Sequence, residues 1–281
     1  MSNCNEDLDK IEIELLLEGI YRYYGVDFRN YSYPPLRRRI WQRVRNEHLE
    51  SVSQLLSQVL HDSASMERLL DDFSLLVTGM YRDPAFFTAF RQNIVPLLKE
   101  CPAVRLWHAG CATGEEVYSM AILLYECGLY AKTRIYATDI NEKSLSKAKA
   151  ATFSLAKMPY YSRAYYNAGG QSALSEYYVV GMDAVTFHPF LTKNIVFAQH
   201  NLVTDHSFNE FNAIICRNVL IYFDRNLQKR VCQLFYDSLA YPGFLGIGSR
   251  ESLQLAGLDA KFSVIDQANR LYSKKPILTG R

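Results

Sequence analysis

Apolar residues in the first quarter of the chain recur at helical spacing. Leu8, Ile11, Leu15, Leu16 and Ile20 make such a stripe over residues 6–24, and Gly25 ends it. Tyr33-Pro34-Pro35 reads as a connector, with Pro35 suited to a first helical turn. Leu36, Ile40 and Val44 repeat at i, i+4, i+8 and predict a helix over 36–45. Ser51 caps a third helix, with apolar positions at Val52, Leu55, Leu56, Val59 and Leu60, and a fourth is expected over about 63–76. Residues 1–76 therefore predict a small helical domain. A loop and a helix from Pro84 to about Glu100 lead out of it, so that 77–104 read as a linker. From residue 105 the pattern changes to short apolar runs separated by helical stretches: Arg105–Ala109, Arg134–Asp139, Asn194–Ala198, Phe211–Cys216 and Gly243–Gly248. Lys261–Ile265 and Arg270–Lys275 add two short β runs. Residues 158–170 are dense in Tyr and Gly, and the β-type runs Ser175–Val180 and Ala184–His188 are joined around Gly181 as a hairpin. The fold class is α/β, with 105–281 as the second domain.

The chemistry concentrates after the run at 105–109. Gly110-Cys-Ala-Thr-Gly114 is a small-residue turn that opens directly into a helical pattern at Glu115. Gly110 and Gly114 let backbone approach a ligand, and the first helical N–H groups lack partners in their own helix. A nucleotide-like ligand suits such a place. The loop is not Gly-x-Gly-x-x-Gly, and Glu115 disfavours a pyrophosphate. An acid there suits a ligand with a positive end, and S-adenosylmethionine carries an ammonium and a sulfonium and no phosphate. Asp139 ends the second run, where an acid accepts hydrogen bonds from two ribose hydroxyls. Taken alone, the glycine loop is also compatible with an ordinary strand–helix turn.

Three segments carry a resemblance. Ala109-Gly-Cys-Ala-Thr-Gly-Glu-Glu-Val-Tyr-Ser119, Ala137-Thr-Asp-Ile140 and Cys216-Arg-Asn-Val-Leu-Ile-Tyr-Phe223 resemble the CheR family in order and spacing. That family comprises the S-adenosylmethionine-dependent methyltransferases that esterify receptor glutamates in bacterial chemotaxis. The resemblance runs from about residue 10 to the end. It implies a small N-terminal helical domain, then a Rossmann-like class I methyltransferase domain with an inserted antiparallel β-subdomain, here 158–198. Thr78-Gly-Met-Tyr-Arg82 is similar to the family's Thr-x-Phe-Phe-Arg loop. Thr78 and Arg82 match, while Met80 and Tyr81 stand in place of phenylalanines. The resemblance thus implies cofactor contacts from Thr78, Arg82, Ala109, Gly110, Gly114, Glu115, Asp139, Asn201, Leu202, Arg217 and Asn218. Asn201 and Leu202 fall on the adenine side, and Arg217 braces the loop. Tyr222 and Arg82 are the candidates for positioning the accepting carboxylate. Some members grip a receptor peptide with the β-subdomain, but the positions for that do not align here. Simple packing of a small sheet also accounts for the tyrosines.

Charge adds one feature to a chain of formal net charge +2. Arg37, Arg38, Arg39, Arg43 and Arg45 stand in nine residues without an acid, mainly off the Leu36–Ile40–Val44 stripe. The resemblance makes this helix, through Arg37, Arg38 and Arg43, a docking surface for an acidic receptor helix; a solvated basic face is the alternative. No further basic segments or aromatic platforms favour nucleic acid. The six cysteines lack CxxC spacing and no histidine follows at a zinc-finger interval, so reduced buried thiols and no metal are expected. No run of 18 apolar residues is present, and the acidic, polar start lacks the form of a signal peptide. A cytoplasmic monomer that works on membrane receptors without entering the membrane is expected. Two other readings stay open: a same-fold methyltransferase acting on a small carboxylate or phenol, and a non-catalytic cofactor-binding scaffold.

Overall fold

The computed structural model describes residues 2–73, 78–254 and 256–276, with side chains from residue 7 onward. The chain divides into two compact units, Met1–Leu76 with Ile221–Gln228, and Val77–Leu220 with Lys229–Arg281.

The first unit is helical: α1 (Ser2–Tyr24), α2 (Tyr33–Asn46), α3 (Val52–His61) and α4 (Ser63–Phe73). The expected end of α4 at 74–76 lies outside the described residues. Ser51 caps α3 through its side-chain oxygen, which accepts from Gln54 N–H at 3.3 Å. The core is Ile13, Leu16, Leu17 and Ile20 of α1 with Leu36, Ile40, Val44, Leu55, Val59, Leu69 and Phe73. This corrects the stripe read for α1. Leu8, Ile11 and Leu15 stay about half exposed (54, 52 and 54%), and the buried row passes through Asp9 and Ile13 instead. Helix α1 carries two apolar rows, and a periodicity cannot say which one meets neighbours.

The second unit opens with α5 (Pro84–Asn93) and α6 (Val95–Lys99), one predicted helix broken at Ile94. It continues through β1 (Val104–Ala109), α7 (Glu115–Glu126), β2 (Thr133–Asp139), α8 (Glu142–Ala150), β3 (Thr152–Ser154), α9 (Met158–Asn167), β4 (Tyr178–Val180) and β5 (Ala184–Phe187). Then follow α10 (Pro189–Thr192), β6 (Ile195–Gln199), β7 (Phe211–Cys216), α11 (Arg225–Ser238), β8 (Leu239–Ile247), β9 (Phe262–Asp266) and β10 (Leu271–Lys274). The main sheet has the order β6-β2-β1-β7-β8-β10-β9. Its first five strands run parallel, and β10 is antiparallel to both β8 and β9. Parallel strands need cover on both faces. Accordingly β1 buries every residue but Arg105, and α7 is buried from Val117 to Leu124.

A separate antiparallel sheet has the order β3-β5-β4. The Tyr-rich stretch forms the helix α9. The inserted sheet begins earlier than 158, at β3, and β6 pairs with β2 of the main sheet, so the run at 194–198 falls outside the insert. Tyr165 of α9 and Tyr177 donate to the nearly buried Glu126 carboxylate, which also pairs with Arg91 at 2.5 Å. These tyrosines pack and tie the insert to α7.

Candidate active site

Strand β1 lies between β2 and β7, and the chain leaves it to opposite sides. The carboxyl ends of β1 and β7 therefore bound the crevice where ligands of open α/β sheets bind. Three loops from the second unit meet there.

The first is Gly110–Gly114. Gly110 has φ +74° and Gly114 φ +90°, a region other residues enter at a cost. A Cβ on Gly110 would lie 2.5 Å from Val219, and one on Gly114 2.9 Å from the Ala148 Cβ, so both positions are also closed by packing. The N–H groups of Gly110 and Cys111 donate to the Thr138 carbonyl at 2.8 and 2.9 Å, which hangs the loop on the end of β2. Ala109 is buried as the last residue of β1. Glu115 is buried at the first turn of α7 and accepts from Thr113 Oγ1 at 2.6 Å.

Asp139 meets this loop from β2. Its carboxylate accepts from Ala112 N–H at 2.8 Å and Asn141 N–H at 2.9 Å. Burial raises its pKa, and these backbone N–H groups pull the other way. Asp139 thus braces the glycine loop while it ends the strand. Asn201 and Leu202 follow β6, beyond His200, whose N–H donates to the Asp139 carbonyl at 3.1 Å. The Asn201 amide oxygen is taken by Val203 N–H at 2.9 Å, so its side chain shapes its own turn.

The second loop is 78–83. Thr78 and Arg82 are partly buried, Met80 and Tyr81 fully. Tyr81 (φ +52°) and Asp83 (φ +55°) both sit in the left-handed region, and Tyr81 N–H donates to Ser119 Oγ at 2.9 Å. The third loop starts at Arg217, whose side chain is 1% exposed. Its guanidinium donates to Glu116 at 2.5 Å, Asp83 at 2.7 Å and the Arg82 carbonyl at 3.1 Å, and lies 4.2 Å above the Phe86 ring. Arg217 therefore ties the 78–83 loop to the end of β7. Burial pushes Glu116 up in pKa, and Arg217 opposes that. Burial, with Arg217 adding, pushes His108 down to about 3, so it is neutral and offers no cation to Glu116. Next in the loop, Asn218 has φ +63°.

Two supports had no clear signal in the sequence. Glu116 anchors Arg217. Glu251, 3% exposed, accepts from the N–H groups of Asn218 (3.2 Å), Val219 (2.9 Å) and Gly248 (2.5 Å). The only cue along the chain is an acid three residues after a strand-ending glycine, in a segment without a marked pattern. Cys111 and Cys216 are buried thiols with pKa values pushed well above the ordinary by burial, which excludes them as ready nucleophiles. Among the described residues no cluster of three His, Cys, Asp or Glu could hold a metal ion.

Tyr222 lies in the helical unit. Arg39 Cζ sits 4.7 Å above its ring, and Tyr222 O accepts from Ser32 N–H at 2.8 Å. Not all of the α2 arginines lie on the open basic face expected of that helix. Arg39 is 8% exposed; one nitrogen donates to the Phe73 carbonyl at 2.6 Å, and two others make no hydrogen bond. Burial lowers its pKa. Arg43 is also withdrawn, with a side chain 12% exposed, paired to Asp72 at 2.6 Å and Glu47 at 3.1 Å. Arg37 pairs with Asp9 of α1 at 2.5 Å. Arg38 is exposed without an ion pair among the described residues, and exposed Arg45 bonds only to the neutral Gln42. The acids missing from the sequence around α2 arrive from α1, α4 and the turn after α2.

Comparison with known proteins gives a consistent result. The family description "CheR methyltransferase, SAM binding domain" matches residues 76–271, and "CheR methyltransferase, all-alpha domain" matches 11–74. The Pseudomonas putida protein named "Putative methyltransferase Cher3" is 44% identical over 264 residues, covering 94% of this chain and 97% of its own. A "Chemotaxis protein methyltransferase" of Salmonella typhimurium is 26% identical, covering 91% and 88%. Among solved structures, the N-methyltransferase NodS of Bradyrhizobium japonicum with S-adenosyl-L-homocysteine is 12% identical, with a TM-score of 0.40 over 72% of this chain and 91% of that one. Among the described residues no helix is long and apolar enough to cross a membrane.

Proposed function

The chain belongs to the CheR methyltransferase family, and from that premise we propose that it methylates glutamate side chains of a bacterial chemoreceptor or similar signalling protein. The observation that carries the proposal is the union of an acid-tipped glycine loop with Asp139 in one hydrogen-bonded unit. Such a site fits S-adenosylmethionine: two closed glycine positions leave backbone at the ligand, and the acids answer an ammonium and a ribose. Glu115 holds the amino group, Asp139 the ribose, and Asn201 and Leu202 the adenine side. Thr78 and Arg82 cover the cofactor from the loop that Arg217 braces, beside Asn218.

S-adenosylmethionine supplies an electrophilic methyl on a sulfonium. A carboxylate oxygen bonds the methyl carbon while the carbon–sulfur pair leaves with sulfur, giving ester and thioether. A glutamate is ionised at neutral pH, with a reference pKa of about 4, so no general base is required. The chain's task is to desolvate and aim the carboxylate. Tyr222 and Arg82 are the residues assigned to that task, each by its place in the sequence motifs. The attraction has to orient without over-stabilising the ground state, because charge is neutralised as the reaction proceeds. Incubation with methyl-labelled S-adenosylmethionine and candidate receptors tests the reading. Base-labile label on a receptor is expected. Label on a small molecule, or cofactor binding without transfer, overturns it.

Docking rests on α2, but on a narrower set than its sequence suggests. Arg38 and Arg45 supply the uncompensated charge, whereas replacing Arg43 would break ion pairs that hold α4. Arg38→Glu with Arg45→Glu is expected to raise the apparent KM for the receptor several-fold, leave S-adenosylhomocysteine affinity alone and flatten the salt dependence. Salt screens such a field over about 8–10 Å. Superimposable methylation curves across a salt series would show that the helix does not dock the substrate.

A further inference from the structure

The inserted region brings one side chain, outside the glycine loop and the family motifs, against the second loop of the site. Tyr161 of α9 is 2% exposed, and its hydroxyl has no hydrogen-bond partner. A buried hydroxyl left unpaired is costly, so a native structure that keeps one commonly reserves it for something that binds. Its ring edge faces the second loop of the site: a Cβ on Gly79 would lie 3.5 Å from Tyr161 Cε1, the atom next to the hydroxyl-bearing carbon. Gly79 stands between Thr78 and the Met80–Arg82 segment. Burial, and then the Glu115 charge, push the Tyr161 phenol up, so it stays a neutral donor and acceptor. Tyr81, the neighbouring buried tyrosine with an unpaired hydroxyl, differs. Its ring packs on Phe87 and Tyr165, and the charges it feels are Glu126 and Arg91.

We propose that the Tyr161 hydroxyl hydrogen-bonds the amino-acid end of S-adenosylmethionine, beside the ammonium that Glu115 neutralises. This makes α9 part of the cofactor pocket as well as a support for the β-subdomain. It rests on the reading of the glycine loop as an S-adenosylmethionine site.

The test compares two ligands on the full chain. S-adenosylhomocysteine has the amino-acid end; 5′-methylthioadenosine has the same adenine, ribose and thioether without it. Tyr161→Phe deletes only the oxygen. It is expected to weaken S-adenosylhomocysteine binding about tenfold, the scale of one hydrogen bond to a charged group. Methylthioadenosine affinity and the ligand-free melting temperature should stay at the wild-type values. Unchanged S-adenosylhomocysteine affinity in Tyr161→Phe overturns the assignment. Equal losses for both ligands also overturn it, because the hydroxyl would then shape the pocket rather than touch the amino-acid end. If the wild type binds neither ligand, the cofactor reading itself fails and takes this inference with it.

Discussion

Arg217→Met is expected to destabilise the protein by about 3–5 kcal/mol, the scale of removing one partner from a buried ion pair. The arginine side chain is 1% exposed and its partner Glu116 15%, so both charges are largely withdrawn from water. Without Arg217, Glu116 is left buried beside a His108 that burial keeps neutral near physiological pH. The same change frees Asp83 and the Arg82 carbonyl, two of the ties on the 78–83 loop. Arg217→Lys should recover only part of the stability, because an ammonium cannot hold three acceptors in the plane of a guanidinium fork. Glu116→Leu with Arg217→Met removes both charges and should restore most of it. The double variant should nevertheless bind S-adenosylhomocysteine more weakly than wild type, since the loop ties stay lost. Chemical denaturation and calorimetry on the four proteins check these outcomes. A single-variant loss below about 1 kcal/mol would show that the ion pair does not secure this part of the fold.

Glu251→Ala should cost a similar amount. Three backbone N–H groups from two separate loops converge on that carboxylate, and each left unpaired costs about 1–3 kcal/mol. Solvent can reach the partly buried Asn218, so about 3–5 kcal/mol is the expected total. Gly248 is held to glycine by the same convergence: a Cβ there would stand 2.7 Å from Glu251 Oε2. Glu251→Gln keeps the volume but turns a donor toward backbone donors, and should sit between alanine and wild type. Turnover should fall further than stability alone explains, because Asn218 holds its left-handed backbone only while its N–H is anchored. Thermal unfolding and single-turnover methylation measured together decide this. A stable Glu251→Ala protein with wild-type turnover would remove Glu251 from the support of the site.

The local parts of this architecture were legible because their causes are local. Gly110 and Gly114 announce a tight turn by what they lack, and the loop closes between strand and helix as their spacing predicts. Continuous apolar runs mark strands covered on both faces, and β1, β2, β7 and β8 formed near the places those runs occupy. The stripe Leu36–Ile40–Val44 faces the core because a single apolar row leaves a helix one way to turn. Where a helix carries two rows, as α1 does with Leu8–Ile11–Leu15 and Ile13–Leu16–Ile20, periodicity cannot choose between them.

Charge is where sequence and structure part. Five arginines on α2 looked alike in a stretch without acids. The fold brings Asp9 to Arg37 and Asp72 to Arg43 from distant helices, buries Arg39 over Tyr222, and leaves Arg38 and Arg45 as the open cations. The same holds for the site's supports. Glu116, Asp83 and Arg217 are separated by up to 134 positions along the chain yet share one guanidinium, and Glu251 serves loops it never adjoins. Tyr161 sits in a stretch whose composition suggested only packing. The sequence by itself determined the helical start, the α/β alternation, the glycine loop and the acids at the strand ends, because each follows from the backbone and its immediate neighbours. Tertiary structure alone decided which charges are neutralised and which polar groups stay unpaired. An ionic or hydrogen-bonding partner is defined by a few ångströms through space, and no spacing along the chain encodes that distance.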